Sequence, residues 1–123
     1  MRINIQSMKG LSRASSKKIR TLVRRVLANE KRKFETVNVI LTDNEYLRGL
    51  NREYFKKNRA TNVISFDLGD VAEIYVSEEQ ARYVYELYYF IVHGLLHTIG
   101  YDHHKRNDSL VMSKKCREYL ADE

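Results

Sequence analysis

Between Ser15 and Glu30 the apolar residues Ile19, Leu22, Val23, Val26 and Leu27 recur at i, i+3, i+4, i+7 and i+8. That is the stripe of an amphipathic helix. Before it, "RINIQ" (Arg2 to Gln6) alternates apolar and polar as a short strand does, and "TVNVILT" (Thr36 to Thr42) is a β-branched run fit for a buried strand. Thr42 and Glu45 have the T-x-x-E spacing of a capping box, which predicts a second helix through about Tyr54. "NVISFD" (Asn62 to Asp67) and "AEIYVS" (Ala72 to Ser77) read as two strands joined by a turn at Gly69-Asp70. Ser77 with Gln80 predicts another capping box, opening helical sequence that runs to about Ile99. A last helix, from about Asp108 to Leu120, should bury Met112, Cys116, Tyr119 and Leu120. Strands and helices alternate first and helices dominate later. The expected fold class is therefore α/β (α+β), a small mixed sheet packed against about four helices.

Composition narrows this picture. At 123 residues, without repeat or linker, the chain reads as a single domain, 1–123, with one modest core. A hydrophobic fraction of 43% and a charged fraction of 31% fit a soluble globular protein and exclude a disordered one. The formal net charge of +6 makes a polyanionic partner plausible. One cysteine, Cys116, excludes an internal disulfide and fits a reducing compartment; its place on an apolar face marks it as inert core. The start, "MRINIQSMKG", has no signal-peptide core, and Glu86, His93 and His97 interrupt the apolar run from Tyr83 to Ile99. No membrane partner and a cytoplasmic location are the expectation.

All four histidines fall in "FIVHGLLHTIGYDHHKRNDS", and His93, His97 and His103 are spaced H-x3-H-x5-H. On a helix, residues four apart are offset by about 40° and stack one turn above the other. Gly100 can adopt a positive φ and reverse the chain, returning His103 to the first two. A single histidine on an apolar helix is ordinarily a core residue with a satisfied ring. Three at this spacing with a glycine at the bend point instead to a metal. Three imidazoles suit zinc and leave a fourth position for water, although nickel or cobalt would also accept them. His104 is either an alternative to His103 or a solvated side chain. In H-E-x-x-H-x-x-G-x-x-H metalloproteases a Glu after the first His is the general base; here that residue is Gly94, which argues against a peptide substrate.

"HGLLHTIGYDH" (His93 to His103) resembles the signature of the YbeY family, the bacterial zinc-dependent endoribonucleases and ribosomal RNA maturation factors. "LNREY" (Leu50 to Tyr54) followed by "ATNVISF" (Ala60 to Phe66) is similar to the family's L-N-x-x-Y-R…P-T-[DN]-V-L-S-F segment. "AEIYVS" with Gln80-Ala81 resembles its G-[DE]-I-x-[IV]-[CS] strand, and Met112 stands where the family has a methionine. The resemblance implies one zinc ion per chain on His93, His97 and His103, carried by a metzincin-like helix. It implies single-strand-specific cleavage of ribosomal RNA, notably at the 3′ end of the small-subunit RNA, and partnership with the small subunit in ribosome biogenesis. Three departures stand out: Phe55 replaces the arginine after the family's tyrosine, Ala60 replaces its proline, and the stretch from Gln80 to His93 is short enough to merge two helices.

Within that frame Arg59 and Lys57 are the candidate catalytic cations in place of the missing arginine, and Asn62 and Ser65 candidate substrate contacts beside the cleft. Arg20 and Arg24, with Lys17 on one side of the first helix and Lys31, Arg32 and Lys33 beyond it, are candidate phosphate contacts. Asp102, Glu73 and Asp70 are the general-base options; an Asp in a turn more often caps backbone amides. Tyr83, Tyr85, Tyr88 and Tyr89 read as amphipathic packing before base stacking. Two other functions stay open: a non-catalytic, zinc-stabilised ribosome-assembly factor, and a metal-dependent hydrolase of another substrate.

Overall fold

The computed structural model describes residues 1–101 and 106–121. Among them the chain runs β1 (Arg2–Ser7), α1 (Arg13–Asn29), β2 (Thr36–Thr42), α2 (Asn44–Phe55), β3 (Val63–Asp67), β4 (Val71–Ser77), α3 (Val84–Thr98) and α4 (Arg106–Ala121). The four strands form one sheet in the order β1-β2-β4-β3. β1, β2 and β4 are parallel, and β3 turns back antiparallel on β4 to become an edge. This is the small mixed sheet with about four helices that the residue pattern predicts.

Alternation divides the sheet into two faces. Ile3, Val37, Val39, Leu41, Ala72, Ile74 and Val76 are buried beneath the stripe of α1 and beneath α3 and α4. The five stripe residues of α1 are all buried, and Ser12 caps the helix by accepting from the Ser15 amide at 3.1 Å. α3 buries Leu87, Tyr88, Ile91, Val92, Gly94, Leu95 and Leu96, so it is covered on nearly every side. In α4, Met112, Cys116, Tyr119 and Leu120 are buried as expected. Among the described residues, α2 packs on the opposite face, against β3 and β4. Among the described residues no helix is long and apolar enough to cross a membrane.

Two expected helix starts move. Asp43, not Thr42, caps α2, accepting from the Tyr46 amide at 2.8 Å. Thr42 is committed to β2, where it pairs with Ser77. The Ser77 half of the second box does form, with Ser77 Oγ accepting from the Gln80 amide at 3.1 Å. It closes a turn, however, and α3 starts only at Val84. The reason is tertiary. The Glu78 carboxylate accepts from Ser7 Oγ and the Met8 amide, both at 2.9 Å, and that of Glu79 accepts from the Asn44 amide at 2.7 Å. These residues tie the end of β4 to the end of β1 and to the start of α2 before the chain enters a single, short α3.

Candidate functional site

His93 and His97 stand on successive turns of α3 with ring centroids 4.8 Å apart. Two imidazoles sharing one tetrahedral ion through nitrogens ~2.0–2.1 Å away place their centres about 5 Å apart, so this pair fits a common ion. His103, the third expected ligand, lies outside the described residues, as do His104 and Asp102. Among the described residues no group of three or more His, Cys, Asp and Glu side chains is positioned to hold a metal.

The pair is fixed from below and from its end. A Cβ on Gly94 would lie 2.8 Å from Ile74 Cγ2 and 2.9 Å from Val63 Cγ2, so the helix backbone rests on β3 and β4. A glutamate at this position has no room, which accounts physically for the missing protease base. After Thr98, Gly100 takes φ +111°, its amide donating to the His97 carbonyl and that of Tyr101 to the Leu96 carbonyl. These two bonds are the Schellman pattern, which only a residue tolerant of left-handed φ completes without strain. The expected helix end at Gly100 is therefore built; the return of His103 toward the pair lies outside the described residues.

A cleft of about 560 Å³ runs along the free edge of β3 and includes His97, Thr98, Ser65, Asp67, Lys57 and Arg59. The ladder explains the open edge. The Ser77 amide donates to the Asn62 carbonyl and the Leu68 amide to that of Val71, so the even-numbered residues face β4. Val63, Ser65 and Asp67 then direct their backbone groups toward the cleft. The two cations arrive by a different route. Lys56 ends α2 in the left-handed conformation at φ 57°, and the Lys57 amide returns to the Asn51 carbonyl. The buried Asn51 side chain donates to the Arg59 carbonyl at 3.0 Å, pinning the loop that carries both.

Four of the expected residues thus share one cleft: His97, Lys57, Arg59 and Ser65. Asn62 is not among its lining residues; its backbone extends the β3–β4 ladder. Lys17, Arg20 and Arg24 do not line it either. Arg20 is half-buried and donates to the Ile3 carbonyl, tying α1 to β1, while Lys17 and Arg24 are exposed. Arg32 pairs with Asp67 at 3.1 Å and lies 4.3 Å over the Phe34 ring. Glu73 sits on the opposite sheet face, accepting from Asn38 and Tyr75, and Asp70 is exposed in the β3–β4 turn. Tyr88 is buried as packing, but Tyr83 and Tyr85 are exposed.

Residue pattern alone passed over three contributors. Asp67 is the carboxylate of the cleft, and Asn51 is the buried amide that shapes it. Glu30 is the third. Its carboxylate accepts from Tyr101 Oη at 3.0 Å, Lys115 Nζ at 3.0 Å and Tyr119 Oη, joining the end of α1 to α4 and to the residue after Gly100. Burial alone raises its pKa, but the hydrogen bonds from Tyr119, Lys115 and Tyr101 outweigh this and hold it below the ordinary carboxylate value. Asn51 falls in the L-N-x-x-Y segment that resembles the family's, which was the one signal available for it; a Glu at a helix end carries no local pattern that distinguishes it from a surface residue.

Comparison with known proteins adds an independent line. The sequence profile of the family described as Endoribonuclease YbeY matches residues 3–122. An Endoribonuclease YbeY of Petrotoga mobilis is 36% identical over 118 residues, covering 84% of this chain and 81% of that protein. One from Carboxydothermus hydrogenoformans is 32% identical over 108 residues, covering 76% of each. A solution structure of a Thermotoga maritima protein superposes with a TM-score of 0.63 at 29% identity, covering 95% of this chain and 85% of that one.

Proposed function

Because the chain belongs to the YbeY endoribonuclease family, we propose that it is a zinc-dependent, single-strand-specific endoribonuclease of ribosomal RNA. Its role would be maturation of the small-subunit RNA at the 3′ end and ribosome biogenesis, in the cytoplasm. The observation that carries the reading is the cleft that gathers His97, Lys57, Arg59 and Ser65 along one open strand edge.

His93, His97 and His103 would hold the ion. When bound there, zinc supplies Lewis-acid polarisation and a water of lowered pKa. The chain's own part is positioning. Lys57 and Arg59 neutralise the phosphate of the bound strand and the charge that grows on it during hydrolysis. Ser65 offers its hydroxyl and its edge-facing backbone groups on the cleft wall. Asp67, paired with Arg32, is held as an acceptor and a counter-charge. Lys17 and Arg24, exposed on α1, extend the phosphate-binding surface away from the cleft, and binding should weaken steeply with salt.

A second reading is favoured by one residue. Phe55 occupies the place of the family arginine, and a factor that only binds ribosomal RNA would not need that charge. Cleavage of purified ribosomal RNA with and without chelator separates the two. The enzyme cleaves, loses activity on chelation and regains it with zinc, and His97→Ala is inactive. Full cleavage by His97→Ala in metal-free protein would overturn the zinc assignment, and binding without cleavage would favour the assembly factor. Elemental analysis of protein purified without added metal should find about one zinc per chain if three histidines bind it.

A further inference from the structure

Phe55 is the last residue of α2 and is 50% exposed beside Tyr54 at 58%, both rings meeting Phe66, and a contiguous exposed apolar patch of this kind marks an interaction site. It lines the same cleft as Lys57 and Arg59. Its ring lies nearly parallel to that of Phe66, at 14° and 6.3 Å between centroids. Phe66 in turn meets Tyr54 edge-on at 5.2 Å and Tyr75 edge-on at 6.0 Å, and Tyr75 stacks with Tyr46 at 5.9 Å. Five rings from α2, β3 and β4 are therefore braced against one another. Phe55 is supported from behind at the cleft end of this series.

A fixed aromatic face beside two cations selects for a planar group that carries an anion. An unpaired nucleotide meets both conditions, because its base offers a π-face and its phosphate a charge; a duplex hides its base faces by stacking. An apolar peptide side chain would use the ring but not Lys57 and Arg59. We propose that Phe55 is a base-stacking shelf, taking the face of an unpaired RNA base while Lys57 and Arg59 hold the adjoining phosphate. Resting on the ribonuclease reading above, this assigns single-strand selectivity to one ring, at the position where the family pattern has a cation.

The chain contains no tryptophan, so Phe55→Trp places a single reporter on the shelf. Titration with a short single-stranded, non-cleavable 2′-O-methyl RNA should quench its emission. The same oligomer in a duplex should not. Phe55→Ala should weaken binding of the single strand by about 5- to 100-fold, leaving duplex binding and the salt dependence unchanged. Phe55→Leu, which keeps the bulk without the π-face, covers the case in which the alanine variant fails to fold. The shelf is overturned if Phe55→Ala and Phe55→Leu bind the single strand as the unmodified protein does. It is equally overturned if the reporter stays unquenched at saturation, or responds to an apolar peptide and not to RNA. Because binding is read without turnover, a protein that binds through Phe55 but cleaves no RNA sinks the nuclease reading alone. A protein that cleaves normally without Phe55 sinks the shelf alone.

Discussion

The Asn51 side-chain amide donates to the Arg59 backbone carbonyl at 3.0 Å, spanning the turn by which the chain leaves α2. Asn51 is 6% exposed, and Arg59 sits on the cleft wall. A buried amide thus sets where two exposed cations stand.

Replacing Asn51 with Leu should cost about 1–3 kcal/mol of stability, the usual loss when a buried partner is removed from a hydrogen bond. It should also weaken single-stranded RNA binding and make the salt dependence shallower, since Lys57 and Arg59 lose their position. Urea unfolding and salt-dependent binding assays check the two halves separately. Unchanged salt dependence would show that the loop holds its place without Asn51.

Gly94→Ala places a methyl within 3 Å of Ile74 and Val63, both β-branched and part of the sheet. An overpacking loss of about 1–3 kcal/mol is expected, measurable as a lower urea midpoint. Gly94→Glu, which installs the protease-type residue, should unfold the protein or leave it without peptidase activity. A stable, peptide-cleaving Gly94→Glu variant would contradict the packing argument.

Glu30 carries a pH signature. Its carboxylate pKa is held below the unfolded value of about 4.3, so its contribution is complete at neutral pH and is lost as pH falls through the folded value. The stability gap between the unmodified protein and Glu30→Gln should stay level from pH 7 to about 5 and close in stronger acid. Urea midpoints of both proteins across that range test it. A gap that does not change with pH would mean the carboxylate charge plays no part.

Cys116 is fully buried, and burial pushes its thiol up to about 12. In the folded protein it should react with thiol reagents at pH 8 at least about a thousandfold more slowly than free cysteine, and rapidly once urea unfolds the chain. Fast labelling without denaturant would place the thiol at the surface.

Much of this architecture was legible in residue order because it rests on periodicity. The stripe of α1, the β-branched β2 and the buried residues of α4 follow from spacing alone. Helix starts were less legible. Thr42, Asp43 and Asn44 are three consecutive residues able to cap, and only the pairing of Thr42 with Ser77 decides that Asp43 does so. The same holds for Glu78 and Glu79, whose partners lie about 70 and 35 residues away, at the end of β1 and at the start of α2. For the site, the histidine spacing and Gly100 predict the His93–His97 pair and its Schellman turn. Arg20 shows the limit: a helical wheel places it among cations, but a carbonyl at the edge of β1 claims it.

Where Gly94 meets the sheet there is no side chain to act as a spring between helix and strands. The imidazoles beside it, at positions 93 and 97, are consequently mounted on helix backbone that rests directly on the sheet. The entropy of ordering those two turns is lost during folding and not again at ligation. On the proposed zinc reading, metal affinity should therefore respond to substitutions at Ile74 and Val63, which set the floor on which both rings stand.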